Sequence, residues 1–175
     1  GRCVDVIVYG TIGFAVPLQL TKVFGSDLGA KDGGFIMSLN GIVVITCTML
    51  ITRLTIKFKP IIAVSLASLF YAIGFGMLGF VTVFAFYVVS TIVYTVGEII
   101  EATNSGVYIA NNSPITHRGR FNAMIPLIQG GAQALGPYMF GFIIENYGLR
   151  NLWVLCFILA MISSGFMKWL GTFET

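Results

Sequence analysis

The sequence predicts an all-α membrane protein of six transmembrane helices. Three observations carry that reading. Hydrophobic residues make up 57% of the chain and charged ones only 10%, with a mean hydropathy of +0.91. Six apolar runs can be marked off, each near the roughly 20 residues a helix needs to cross hydrocarbon. Polar, Gly- or Pro-bearing breaks separate them. So few charges cannot cover a soluble globule of 175 residues. The net charge of +3 is spread over the breaks and no basic run exists to track a phosphate backbone, so nucleic acid is not an expected partner. Cys3, Cys47 and Cys156 lie in apolar segments without metal-binding or redox spacing and read as packing residues, so no metal, disulfide or cofactor is expected. His117 reads as a loop residue, and no catalytic residue is assigned.

The first helix, 3–23, follows Arg2 and carries Pro17 near its end, which a membrane helix tolerates when neighbours satisfy the freed carbonyl. Residues 24–34, rich in Gly and bearing Asp27, Lys31 and Asp32, read as a loop. The second helix, 35–54, holds one amide, Asn40, and exits through Arg53, Lys57, Lys59 and Pro60. The third, 61–79, carries Gly74, Gly76 and Gly79, small residues that let helices approach closely. After a short turn comes the fourth, 83–108, and then a polar stretch, 111–120, that leaves the membrane. The fifth, 121–144, contains Pro126, Gly130, Gly131, Gly136, Pro137 and Gly141 and should be kinked and tightly packed. The sixth, 152–170, has Trp153 and Trp169 placed as interfacial anchors. Seven basic residues (Arg2, Arg53, Lys57, Lys59, Arg118, Arg120, Lys168) fall on one side and three (Lys22, Lys31, Arg150) on the other. That bias puts both termini in the cytoplasm, and the expected location is the plasma membrane, crossed several times.

The fourth helix carries the chemistry. At about 100° per residue, Tyr94, Glu98, Glu101, Ser105 and Tyr108 share one stripe with Asn104 at its edge, while Ile92, Val96, Ile99 and Val107 face away from it. Eleven Val, Ile and Phe residues, at roughly −0.5 kcal/mol each, are offset by about +5 to +7 kcal/mol for two central acids. Such a helix needs neighbours or a water-filled cavity to shelter its carboxyls, and an intramembrane acid is by default a candidate for a substrate or proton pathway. Glu98 and Glu101 are therefore candidates to bind and release a proton. One turn apart, both cannot comfortably ionise together. The plainer alternative is a pair of acids that fixes helix packing. Asp5 is a third candidate for proton coupling, although pairing with Arg2 or Arg53 is the simpler role at that end of the first helix.

Other polar residues inside the spans are unevenly shared. The first, second, fourth and fifth helices carry acids or amides, whereas the third and sixth carry only Ser, Thr and Tyr. A pattern repeating every three helices suits an inverted three-plus-three repeat with the third helix of each triple held outside. Tyr9, Gln19, Asn40, Tyr94, Asn104, Gln129 and Gln133 are the candidates to touch a substrate, each with interhelical hydrogen bonding as its plainer role.

A set of motifs in a fixed order then points to a family. Pro17-Leu18 with Phe24-Gly25, Ser38-Leu39-Asn40-Gly41, Gly97-Glu98, Asn112-Ser113-Pro114, Arg118-Gly119-Arg120-Phe121, Gly136-Pro137 with Gly141, and Leu152-Trp153 run the length of the chain. Together they resemble the seventh to twelfth helices of a major facilitator superfamily transporter, most of all bacterial members related to drug/proton antiporters. The resemblance implies a secondary transporter that exports small amphipathic or drug-like molecules in exchange for protons, by alternating access of two six-helix halves. It implies a gating role for Gly136 and Pro137. Arg118 and Arg120 are candidates to bind lipid headgroups or gate the cytoplasmic side, and as loop residues they are equally suited to enforcing topology. Phe140 stands where the antiporter signature has a Gly, and the 53–60 loop lacks the Asp and Gly of the superfamily's gating loop. A transporter of this type has twelve helices, so the expectation is half of one, whose partners are the missing N-terminal half, the lipid bilayer, a small-molecule substrate and protons. The alternative is a self-sufficient six-helix protein of another class. For a channel, Thr95-Val96-Gly97 is followed by Glu98 instead of an aromatic. For an intramembrane protease, Thr103-Asn104-Ser105-Gly106 lacks the first Gly of the nucleophile motif and His117 lies in a loop.

Overall fold

The computed structural model describes residues 2–112 and 118–173. Among these every regular element is a helix: α1 (Arg2–Gly10), α2 (Ile12–Phe24), α3 (Ser26–Thr55), α4 (Pro60–Leu78), α5 (Phe84–Asn112) and α6 (Arg118–Gly171). Four segments are long and apolar enough to cross a membrane: Ser26–Thr55, Pro60–Leu78, Phe84–Tyr108 and Gln129–Gly171. Ile12–Phe24 is a shorter apolar helix. The bilayer explains the many large apolar side chains left open, such as Ile45 at 82% and Leu127 at 78% exposure.

These boundaries differ from the six expected spans in three places, each for a local reason. The first expected helix is divided at Thr11, where the backbone N–H reaches back only three residues, to Val8 (3.2 Å), while the hydroxyl donates to the Ile7 carbonyl (3.1 Å). Pro17, by contrast, is carried inside α2. The expected loop 24–34 is helical from Ser26 onward. Its glycines are a packing stripe: at spacing four, Gly25 turns the chain with φ 88°, a Cβ on Gly29 would lie 2.4 Å from the Thr21 Cα, and one on Gly33 would meet Pro17 at 3.5 Å. Small residues here let α3 double back along α2 at backbone contact, and the 30-residue α3 is about 45 Å long, longer than the roughly 30 Å hydrocarbon core of a bilayer.

The third difference joins the last two expected helices into α6, whose φ/ψ are non-helical only at Gly148 (φ 83°, ψ 165°). Pro126 and Pro137 lie inside helical backbone. The chain nonetheless reverses at Gly148. Gly136 approaches the Ile7 carbonyl and Ser163 bonds to Asp5, two positions away on α1, whereas a straight helix would hold residues 136 and 163 about 40 Å apart. The returning arm runs antiparallel to α4. Gly79 meets Trp153, Gly76 meets Phe157, Gly171 meets Ile61, and Ser65 and Ser164 exchange hydrogen bonds from each hydroxyl to the other's carbonyl (2.8 and 2.9 Å).

The third expected helix, read as held outside the pathway, is α4, and within this chain it is enclosed by its neighbours. α4 is the most enclosed of the spanning segments, covered by α5 on one side and α6 on the other, because Gly74 and Gly97 bring the α4 and α5 backbones together. α3 is the most open. Trp153, expected as an interfacial anchor, is instead fully buried, stacked on Phe75 with ring centroids 6.2 Å apart, while Trp169 is 56% exposed. The Trp153 indole Nε1–H donates to Gln19 Oε1, and Gln19 Nε2 donates to the Leu78 carbonyl (2.9 Å). One amide thus ties α2 to both α4 and α6. Gln19→Leu leaves an indole N–H and a carbonyl unpaired in the core, each costing about 1–3 kcal/mol. Thermal unfolding of the detergent-solubilised full-length protein should show a clear loss of stability. Trp153→Phe in the same background should add less than it does alone.

Candidate transport site

The site is assembled by α1, α3, α4, α5 and the first arm of α6. Periodicity places Tyr94, Glu98, Glu101, Asn104 and Ser105 on adjoining positions of α5, and all but Glu98 are buried; Glu98 is partly open. Of the positions read as facing away, Ile92 and Val107 are exposed and Ile99 is buried.

Asn40, from α3, is the bridge to the acids. Its Nδ2 donates to Glu98 Oε2 (2.9 Å) and to Thr95 Oγ1 (2.8 Å). A side-chain amide donating to a carboxylate is among the stronger hydrogen bonds available here, so it holds the open helix α3 against α5. Tyrosines approach from the other side: Tyr9 and Tyr71 border the same small cleft as Glu98 and Glu101. The two rings lean on each other at 5.9 Å, and Tyr71 stacks in turn on Phe75 at 5.5 Å, with Tyr94 next at 5.6 Å. The aromatic column fixes the two tyrosines that share the cleft with the carboxyls.

Two clefts meet at Tyr9. The smaller, about 150 Å³, is lined by Tyr9, Tyr71, Glu98, Glu101 and Gln129 with Val6 and Ala102. The larger, about 380 Å³, is bordered by Tyr9, Asn40 and Tyr94 among Gly10, Ile12, Gly13, Ile36 and Met37. A two-part space with acids at one end and an amide and aromatics at the other can hold a proton and a small amphipathic molecule side by side.

Of the sequence candidates, Tyr9, Asn40, Tyr94, Glu98, Glu101 and Gln129 come together here. Asn104 lies one turn further along α5 and donates to the Ile100 carbonyl (2.9 Å) and Thr55 Oγ1 (3.2 Å), closing the α3–α5 contact. Gln19 is elsewhere, in the core beneath Trp153. Asp5 is also apart: it is 1% exposed, and its Oδ2 accepts from Ser68 (2.8 Å) and Ser163 (3.0 Å), so its described partners are serines of α4 and α6 instead of Arg53. Arg2, Arg118, Arg120 and Gln133 have side chains outside the described ones, and His117 lies outside the described residues. Gly136 is buried against α1 and Pro137 is exposed. Tyr71 and Thr95 were not singled out from sequence. Thr95 lies one turn before Glu98 beside the acid stripe, which was a usable signal; Tyr71 sat in a helix read as non-lining.

No curated relative and no solved structure matches the chain. A family model described as Major Facilitator Superfamily matches residues 1–172, nearly the whole length, in agreement with apolar helices and polar groups facing an internal cleft. The chain therefore belongs to the Major Facilitator Superfamily and is a membrane transporter.

Proposed function

We propose that this transporter exports small amphipathic molecules, cations among them, in exchange for protons, and that the chain supplies one of two six-helix halves that alternate access to a site between them. The observation that supports this most directly is the Asn40–Glu98 hydrogen bond at the junction of the two clefts. An ionised Glu98 attracts a cationic substrate and grips Asn40. A protonated one attracts neither strongly, so α3 is released from α5 as substrate is discharged. Proton and substrate thus compete for the same carboxyl, which is the minimum needed for exchange. Glu101 and Asp5 are placed in the same scheme as further proton-binding groups, and Gln129, Gln133, Asn104 and Gln19 as polar lining or its supports. Gly136 and Pro137 form the pivot of α6 on α1, with Arg118 and Arg120 at the gate on the cytoplasmic face, where the basic-residue bias also puts both termini.

The test uses the full-length protein in proteoliposomes with an imposed pH gradient and a lipophilic fluorescent cation. Uphill movement of the cation should stop when a protonophore collapses the gradient, and adding the cation should release protons. Export that continues undiminished without a gradient sinks the exchange reading.

A further inference from the structure

A third concavity, about 800 Å³, lies at the end of the bundle where α4 turns into α5. No residue lining it borders either polar cleft. Its walls are Phe80 in the turn, Ile73 and Met77 on α4, Phe86 on α5, and Val154 and Phe157 on the returning arm of α6. These residues descend from the turn to about two helical turns below it, so the groove runs along the helices from the polar edge inward. Gly76 has no side chain to fill its floor, where a Cβ would already meet Phe157 at 2.8 Å. At the open end, the Arg150 guanidinium lies over the Phe80 ring, 4.8 Å from its centroid. Arg150 is exposed and forms no ion pair among the described residues.

We infer that this groove is a binding site for one anionic glycerophospholipid, with acyl chains along the α4–α6 walls and its phosphate on Arg150. The volume is of the size that buries a ligand, roughly 300–1,000 Å³. In hydrocarbon an empty groove forfeits dispersion contacts along its whole lining, and flexible chains restore them. The ring beneath Arg150 holds the exposed guanidinium beside the groove, where its planar fork can take phosphate oxygens in pairs. An apolar furrow walled by Phe80, with the Arg150 cation on that same ring, is complementary to a lipid, charge to charge and chain to chain. A soluble anion would use only Arg150.

The experiment is native mass spectrometry of the full-length protein released from nanodiscs of phosphatidylcholine containing a minor fraction of phosphatidylglycerol. One phosphatidylglycerol should stay bound to the wild type out of proportion to its share. Arg150→Gln should cut that retention roughly tenfold, as expected for removing a hydrogen bond to a charged group. Val83→Trp, which places a ring into the groove mouth, should cut it without touching the cation, with thermal unfolding of both variants as in wild type. Equal retention of phosphatidylcholine and phosphatidylglycerol, unchanged retention in both variants, or displacement of the lipid by the exported cation at transport concentrations overturns the assignment.

Discussion

Glu98→Gln is expected to remove gradient-driven transport by the full-length protein while leaving its folding and insertion intact. The amide has nearly the shape of the protonated carboxyl, and its Oε1 accepts from Asn40 Nδ2 more weakly than a carboxylate does, so α3 is held as it is beside a protonated Glu98 and the bundle still folds. The amide cannot take up a proton. Proton and substrate are then uncoupled, and the loss should be roughly 5–150-fold, the usual range of coupling between two linked sites. Downhill exchange of a neutral amphipathic molecule should persist, which separates lost coupling from lost binding. Asn40→Ala should behave differently: Glu98 keeps its proton chemistry but loses its α3 donor, so coupling weakens together with affinity. A Glu98→Gln protein whose flux keeps the wild-type dependence on the pH gradient would take Glu98 out of the mechanism.

The parts of this site that follow a helical period were readable in the sequence, and the parts that depend on distant pairs were not. Tyr94, Glu98 and Glu101 lie on one helix, so their shared face follows from 3.6 residues per turn. Asn40 stood out because a lone amide in an apolar run demands a partner. Gln19 raised the same demand, but its partners are Leu78 and Trp153, the latter 134 positions away, and nothing local distinguishes a core amide from a lining one. Asp5 is the same case, since its Ser68 and Ser163 donors come from helices that looked featureless. The glycines at 25, 29 and 33 show how an accurate local observation leads astray. In water such a Gly-rich, charged stretch is a loop. Spaced by four beside a membrane helix, the same residues are a flat strip on which a neighbouring backbone rests.

Glycine also sets the second large effect, at Gly97. A Cβ there would lie 2.9 Å from the Ala67 carbonyl oxygen, 3.1 Å from Phe70 Cβ and 3.3 Å from the Tyr71 nitrogen. Two of those atoms are backbone of α4 and cannot rotate away, so Gly97→Ala must push α5 off α4. Overpacking of this kind costs about 1–3 kcal/mol, and between membrane helices no hydrophobic gain compensates, because lipid is as apolar as the added methyl. The displacement also loosens Ser90 from the Gly74 carbonyl (2.7 Å) and draws Glu101 away from Tyr71. Thermal stability and transport should therefore fall together. Gly106→Ala in the same helix has nothing within 4 Å of the new methyl, so it should be neutral or gain up to about 1 kcal/mol from helix propensity. Melting curves of the two purified variants decide the matter. Equal stability would mean that α4 and α5 do not touch at backbone distance, and the carboxyls would then have no rigid wall to be held against.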